Sequence, residues 1–220
     1  MGTDQTGSAT GPSEQSTVSV SDMMQFLDAL KTRVFEMTNM NHVPESKLDF
    51  KNDVYLLSNG NEISTNNNAA CGAAATCSVF APYGTNGLLP MLFPTASDRT
   101  LQSSPSLPQN GHGTVAEIDL KGVGTTAPDL VFLIHGIKPN ICNLYNSKQG
   151  IGTNYDHSTT LTSIGESPSN SVPVAFNGFT TTNTFGYAAS EFEGKKSFCA
   201  PAYDDAMDHR LAIWHVLKVR

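Results

Sequence analysis

The chain has 220 residues, a formal net charge of −7, only 15% charged residues and four cysteines. That length holds one ordinary domain, or one domain with a flexible end. Phosphate binding needs clustered Lys and Arg, and the absence of any basic run argues against nucleic acid as a partner.

The wealth of Ser, Thr, Asn and Gly suits a loop-rich secreted or surface β protein better than a cytosolic helical enzyme. Residues 1–17, beginning MGTDQTGSATGPSEQS, read as a disordered polar lead-in, vector-derived or native, ahead of one globular domain over residues 18–220. No run approaches the ~20 apolar residues of a membrane span, and no signal-peptide core follows Met1.

From residue 18 to residue 40 the pattern is helical. Ser21 and Asp22 suit an N-cap. Met23, Phe26, Leu27, Leu30, Val34 and Met37 recur at steps of three and four and make one apolar stripe, with Lys31, Arg33 and Glu36 on other faces. A helix over residues 21–38 would be about 27 Å long.

Residues 48–57 (LDFKNDVYLL) suit a short strand ending at the Asn59-Gly60 turn, and residues 77–80 another. Residues 78–93 mix apolar side chains with Pro82, Gly84, Gly87 and Pro90 and read as an irregular excursion over a sheet. Residues 95–113 read as a long exposed loop. Residues 114–123 alternate as a strand does, and they turn at 122–128 into an antiparallel partner.

That partner is the most informative stretch, residues 129–146 (DLVFLIHGIKPNICNLYN). Its first six residues suit a buried strand, which His135-Gly136 breaks. Pro139 suits the first turn of a helix, and Ile141, Leu144 and Tyr145 follow at helical spacing with Cys142 among them. Residues 172–179 and 184–187 suggest short strands or a hairpin around Asn177-Gly178. Residues 192–200 lead into an acidic loop at 203–209, and residues 211–219 close the sheet with Trp214 as a core aromatic.

The four cysteines, Cys71, Cys77, Cys142 and Cys199, form an even set without the CxxC spacing of a zinc ribbon. They allow three pairings, of which Cys71–Cys77 with Cys142–Cys199 is the natural one. Chain entropy gives the short loop about 2–2.5 kcal/mol and the long one about 4. Disulfides and the lack of a leader contradict one another unless this chain is a truncated form.

The corner at 129–146 resembles type IV pilin-like proteins, in which a sheet strand ends in a Gly-Ile-Pro-like corner followed by a Cys and an Asn. Phe198-Cys199, the acidic loop and the final LAIWHVLKVR are similar to the cysteine-bounded last strand of minor pilins and pseudopilins. The resemblance covers roughly the second half of the chain. It implies an α+β fold, with an N-terminal amphipathic helix packed on a mainly antiparallel, disulfide-stapled sheet of about four to six strands.

It also implies a structural subunit of a type IV pilus-like or secretion-system pseudopilus filament, with no catalysis. Other pilin-like subunits would be its partners. Met23, Leu27, Leu30, Val34 and Met37 would belong to the assembly helix. The subunit would be periplasmic or on the cell surface, anchored in the inner membrane only through a hydrophobic N-terminal half that is missing here. No cofactor is expected. Some pseudopilins stabilise a C-terminal loop with calcium, and Asp204, Asp205 and Asp208 would offer the oxygens, although no DxDxDG pattern accompanies them.

A second class is a secreted serine hydrolase. Residues 132–136 (FLIHG) are superficially like an oxyanion-hole strand, with Ser167 in GESPS as nucleophile and His209 or His215 as base. That segment lacks the second Gly of the GxSxG elbow and places Pro beside the Ser. A third class is a surface adhesin that never polymerises. The six histidines, at 42, 112, 135, 157, 209 and 215, show no zinc-ligand spacing.

Overall fold

The apolar stripe becomes one long helix. In the computed structural model, which describes residues 12–56, 60–61, 71, 75–80, 88–94, 96–97, 109–152, 154–156, 184–186, 190–202 and 211–220, α1 spans Pro12–Phe35 and ends in a π-helical turn, Glu36–Met40. Val20, Met23, Leu27, Leu30, Val34 and Met37 are all fully buried. Steps of three and four return a side chain to the same face of a 3.6-residue helix, so these six form one seam. Each such burial contributes about 1.5–3 kcal/mol relative to an exposed side chain.

The seam lies on a five-stranded sheet. Its strands are β1 (Gly113–Leu120), β2 (Asp129–Ile137), β3 (Thr184–Phe185), β4 (Ser197–Pro201) and β5 (Leu211–Lys218), in the order β3-β1-β2-β5-β4. Three pairings are antiparallel and the short β1–β3 pairing is parallel. A second helix, α2 (Pro139–Lys148), follows β2 with Pro139 in its first turn. The molecule is therefore α+β, with its N-terminal helix on a mixed sheet.

Both faces of the sheet are covered, so β1 and β2 are buried along their whole length. On the α1 face, Phe26 meets Phe80, Phe93 and Phe132 at ring separations of 6.5, 5.7 and 6.1 Å. The Tyr55 hydroxyl donates to the Met91 carbonyl and accepts from the Met91 amide, which pins the excursion at residues 88–94. On the opposite face Trp214 lies between Phe185 (4.5 Å) and Phe198 (5.7 Å), with Phe192 against both phenylalanines.

Charge closes one end of the sheet. Arg220 Nη2 bonds Glu117 at 2.6 Å, and its guanidinium also pairs with Glu45 in the turn beyond α1. Lys218 reaches the other Glu45 oxygen at 3.2 Å.

Several expectations need correction. The helix begins at Pro12, inside the expected disordered lead-in, so Ser21 and Asp22 are interior residues. Ser21 Oγ donates back to the Thr17 carbonyl, four residues earlier, as a helix-interior serine does. Among the described residues, 48–56 and 77–80 form no strand ladder, only isolated bridges such as Asp49–Ser78. The Asn52 side chain accepts from the Val54 and Tyr55 amides and folds that backbone into a turn. Within the expected exposed loop, Ala96, Ser97 and residues 110–113 are buried.

His135-Gly136 does not end β2 either. The strand runs on to Ile137 through a register shift, with Gly136 at φ +66°. A β-carbon there would lie 2.1 Å from Asn110 Oδ1, so only glycine fits the bulge. Finally, β5 is interior to the sheet, and β4, unpredicted, forms the edge.

Gly113 makes the α1 face fit. A β-carbon on it would lie 2.1 Å from the Phe132 ring and 3.0 Å from Tyr55, whereas one on Gly152 would meet nothing within 4 Å. Gly113→Ala is expected to lower unfolding free energy in urea by about 1–3 kcal/mol through overpacking, with Gly152→Ala within about 0.5 kcal/mol of wild type.

Candidate functional site

Cysteine places the structure's most constrained point. Cys142 on α2 bonds Cys199 on β4, and Cys71 bonds Cys77. Asn146 lies one helical turn beyond Cys142, on the same face. Its Nδ2 donates to the Cys199 carbonyl at 2.8 Å, and its Oδ1 accepts from the Cys199 amide at 2.7 Å. One residue of the edge strand is thus held through its side chain and through both backbone groups. A buried amide and carbonyl left unpaired would each cost about 1–3 kcal/mol.

The same attachment assembles a polar chain. Tyr145 comes from α2, Ser197 from β4 and His215 from β5. The Tyr145 hydroxyl lies 2.6 Å from Ser197 Oγ, which lies 2.8 Å from His215 Nδ1. Ser197 and His215 are register partners across β4 and β5, so both project from the face that carries the helices. Burial pushes the Tyr145 hydroxyl up, so it remains a donor. Burial first, and then the Lys31 ammonium, lower His215 to about 3. Its other ring nitrogen, Nε2, is buried and has no hydrogen-bond partner among the described residues.

These groups line a cleft of about 350 Å³ between α1, α2 and the start of β4. Asp28 and Lys31 line it from α1, and Lys195 and Lys196 from the turn before β4, with the Lys196 charge also acting on Asp129. A general base works best with a pKa near the operating pH. An imidazole at about 3, without an orienting carboxylate among the described residues, is a poor base for Ser197. The cleft is chemically a donor-rich recess, suited to holding a polar ligand more than to activating a nucleophile.

His135 is fully buried on the opposite face, with Nε2 2.6 Å from Thr114 Oγ1, in a packed hydrogen bond remote from the cleft. Ser167 and His209, the other parts of the hydrolase expectation, lie outside the described residues, as do Asp204, Asp205 and Asp208. Among the described residues no group of three or more His, Cys, Asp and Glu side chains gathers as a metal site. The helix residues Met23, Leu27, Leu30, Val34 and Met37 are all within the domain's own core.

Sequence reasoning missed the Tyr145–Ser197–His215 chain because its members come from three elements. The available signal was local: Tyr145 and Asn146 follow Cys142 by three and four residues, the spacing of neighbours on one helix face. The chain matches no family model, no curated protein and no solved structure. Paired cysteines indicate folding in an oxidising, non-cytoplasmic compartment. Among the described residues no helix is long and apolar enough to cross a membrane.

The buried titrating groups set a pH dependence. Burial lowers His112 to about 4, and its Nδ1 accepts the Leu56 amide at 2.7 Å. His112 and His215 are thus neutral in the fold where the unfolded chain would protonate them, near 6.5. As pH falls below 6.5 the unfolded state takes up more protons, and each histidine removes about 1.4 kcal/mol per pH unit down to its folded pKa. Asp129 works the opposite way: burial raises it to about 6, so its stabilising proton is lost as pH rises from 3.8 through 6. Two histidines outweigh one aspartate, and stability should fall from pH 6.5 to 4. His215→Gln should flatten that slope in urea titrations, whereas an unchanged slope would show that His215 titrates normally.

Proposed function

We propose that this domain is the globular part of a type IV pilin-like filament subunit, of the pilus or the secretion-system pseudopilus kind. The observation that carries this reading is the attachment at Cys199. The helix-bearing corner after β2 is stapled by Cys142 and Asn146 to the strand before the last, and the N-terminal helix lies on the same sheet. The resemblance at residues 129–146 and 198–220 implies a helix packed on a disulfide-stapled sheet, with the staple expected at the last strand, whereas the bridge joins the strand before it.

The first turns of α1 support it further. Glu14, Gln15, Thr17 and Val18 are exposed, while the seam beyond them is buried. On this reading the helix carries an apolar half on its N-terminal side, which anchors the subunit in the inner membrane and later bundles with neighbouring subunits. The domain resides in the periplasm and then on the surface, where its disulfides are stable. The seam residues hold helix to domain, and the filament contacts lie elsewhere on the helix. No residue does covalent chemistry, in keeping with the depressed basicity of His215 beside Ser197.

The test is immunogold microscopy of sheared cell-surface material and envelope fractions from the native host, using antibody against residues 12–220. The expected outcome is labelled filaments, with the full-length subunit also in the inner-membrane fraction. Antigen found only as a soluble monomer would overturn the reading and favour a non-polymerising secreted protein.

A further inference from the structure

The two disulfides differ in access. Cys142 and Cys199 are fully buried, so a reagent reaches their bridge only when the fold opens. Cys71 is half-buried, Cys77 is 6% exposed, and both line a recess of about 560 Å³ beyond the end of α1. A disulfide exchanges when a thiolate reaches one of its sulfurs, and exposed bridges are the labile ones.

The recess follows from how the helix ends. The π-helical turn closes at Met40, His42 adopts a left-handed backbone at φ +54°, and the Val43 amide returns to the Met37 carbonyl at 2.9 Å. Arg33, His42 and Lys47 thereby line the same recess as the bridge, and no carboxylate among the described residues lines it. The neighbouring carboxylates already have partners: Glu36 lies 4.0 Å from Arg33, Glu45 pairs with Lys218 and Arg220, and Asp49 accepts the Lys51 amide. Lys47 has no ion-pair partner among the described residues. Cys77 is also held without the bridge. Its carbonyl accepts the Asp49 amide at 2.9 Å, the Val79 amide donates to the Asp49 carbonyl at 2.8 Å, and Val79 and Phe80 sit in the core. The bond can therefore open while residues 77–80 stay in place.

We propose that Cys71–Cys77 is a thiol-exchange site, and that its substrate is a small thiol carrying a further anionic group. The electron pair of the incoming thiolate forms a new S–S bond to Cys71 Sγ. The Cys71–Cys77 bond breaks with its electron pair on Cys77 Sγ, which takes a proton from water. A second thiolate then attacks the sulfur of the bound thiol, and Cys71 leaves and is protonated in turn. The protein's disulfide is reduced, and two small thiols are oxidised to their own disulfide. Lys47 and Arg33 attract the additional anionic group, which the thiolate charge alone does not supply. The proposal does not depend on filament assembly.

The experiment exposes the fully disulfide-bonded protein, at low ionic strength and about pH 8, to 2-mercaptoethanesulfonate or to 2-mercaptoethanol at equal thiolate concentration. Samples are quenched with an alkylating reagent, and each cysteine is followed by peptide mass spectrometry. Cys71 and Cys77 should be labelled at least about 100-fold faster than Cys142 and Cys199, through a transient mixed disulfide at Cys71. The sulfonate should exchange about threefold faster than the neutral thiol. Lys47→Gln should remove most of that advantage, and Lys148→Gln, on α2, should leave it. Both lysines are exposed, so these variants keep the fold. Equal labelling of the two bridges, no advantage for the sulfonate, or an equal effect of Lys148→Gln would overturn the proposal.

Discussion

Everything on the β4 side of the molecule depends on how one residue is held. Cys199 is attached to α2 by a covalent bond from Cys142 and by the paired amide of Asn146. An exposed sheet edge offers unpaired backbone groups to any other strand, and here the middle of the edge is occupied by a side chain that mimics a strand. Fixing Cys199 also fixes its neighbours. Phe198 is directed to the Trp214 cluster on one face, and Ser197 to His215 on the other. The aromatic packing and the polar cleft are two consequences of the same attachment.

The α1 side is organised differently, by shape. The seam of α1 meets the sheet through large rings, and Gly113 leaves the space that Phe132 fills. The Arg220–Glu45–Glu117 network then ties the end of the sheet to the turn beyond α1, so the helix is held along its length and at its end. A filament subunit of the proposed kind needs this rigidity, since load on a protruding helix must pass into the domain. The polar cleft lies between the two sides, lined by residues of α1, α2, β5 and the start of β4, with Tyr145 and His215 in its wall.

Much of this was legible in the residues. One-sided burial imposes a period on a helix, and the α1 seam was read from that period alone. The β1–β2 hairpin was equally plain, from alternation followed by an apolar run. β4 was missed because SFCAP is five residues long and contains Pro201, which carries no donor. Residues 48–57 misled because Leu48, Phe50 and Tyr55 face the core from a turn built by Asn52, with no strand ladder beside them among the described residues. The cleft was illegible for a physical reason. Lys31, Tyr145, Ser197 and His215 come from four elements, and only the tertiary fold brings them together.

The most direct test of the attachment is native-state hydrogen exchange at the Cys199 amide, in the wild type and in Asn146→Ala with the disulfide intact. If Asn146 Oδ1 is what this amide donates to, exchange should accelerate by about 10- to 100-fold, the equivalent of about 1.4–2.8 kcal/mol of lost protection. The interior amides of β2 should change less. Unchanged protection at Cys199 would mean that the disulfide alone holds the edge, and the account of a doubly held residue would be wrong.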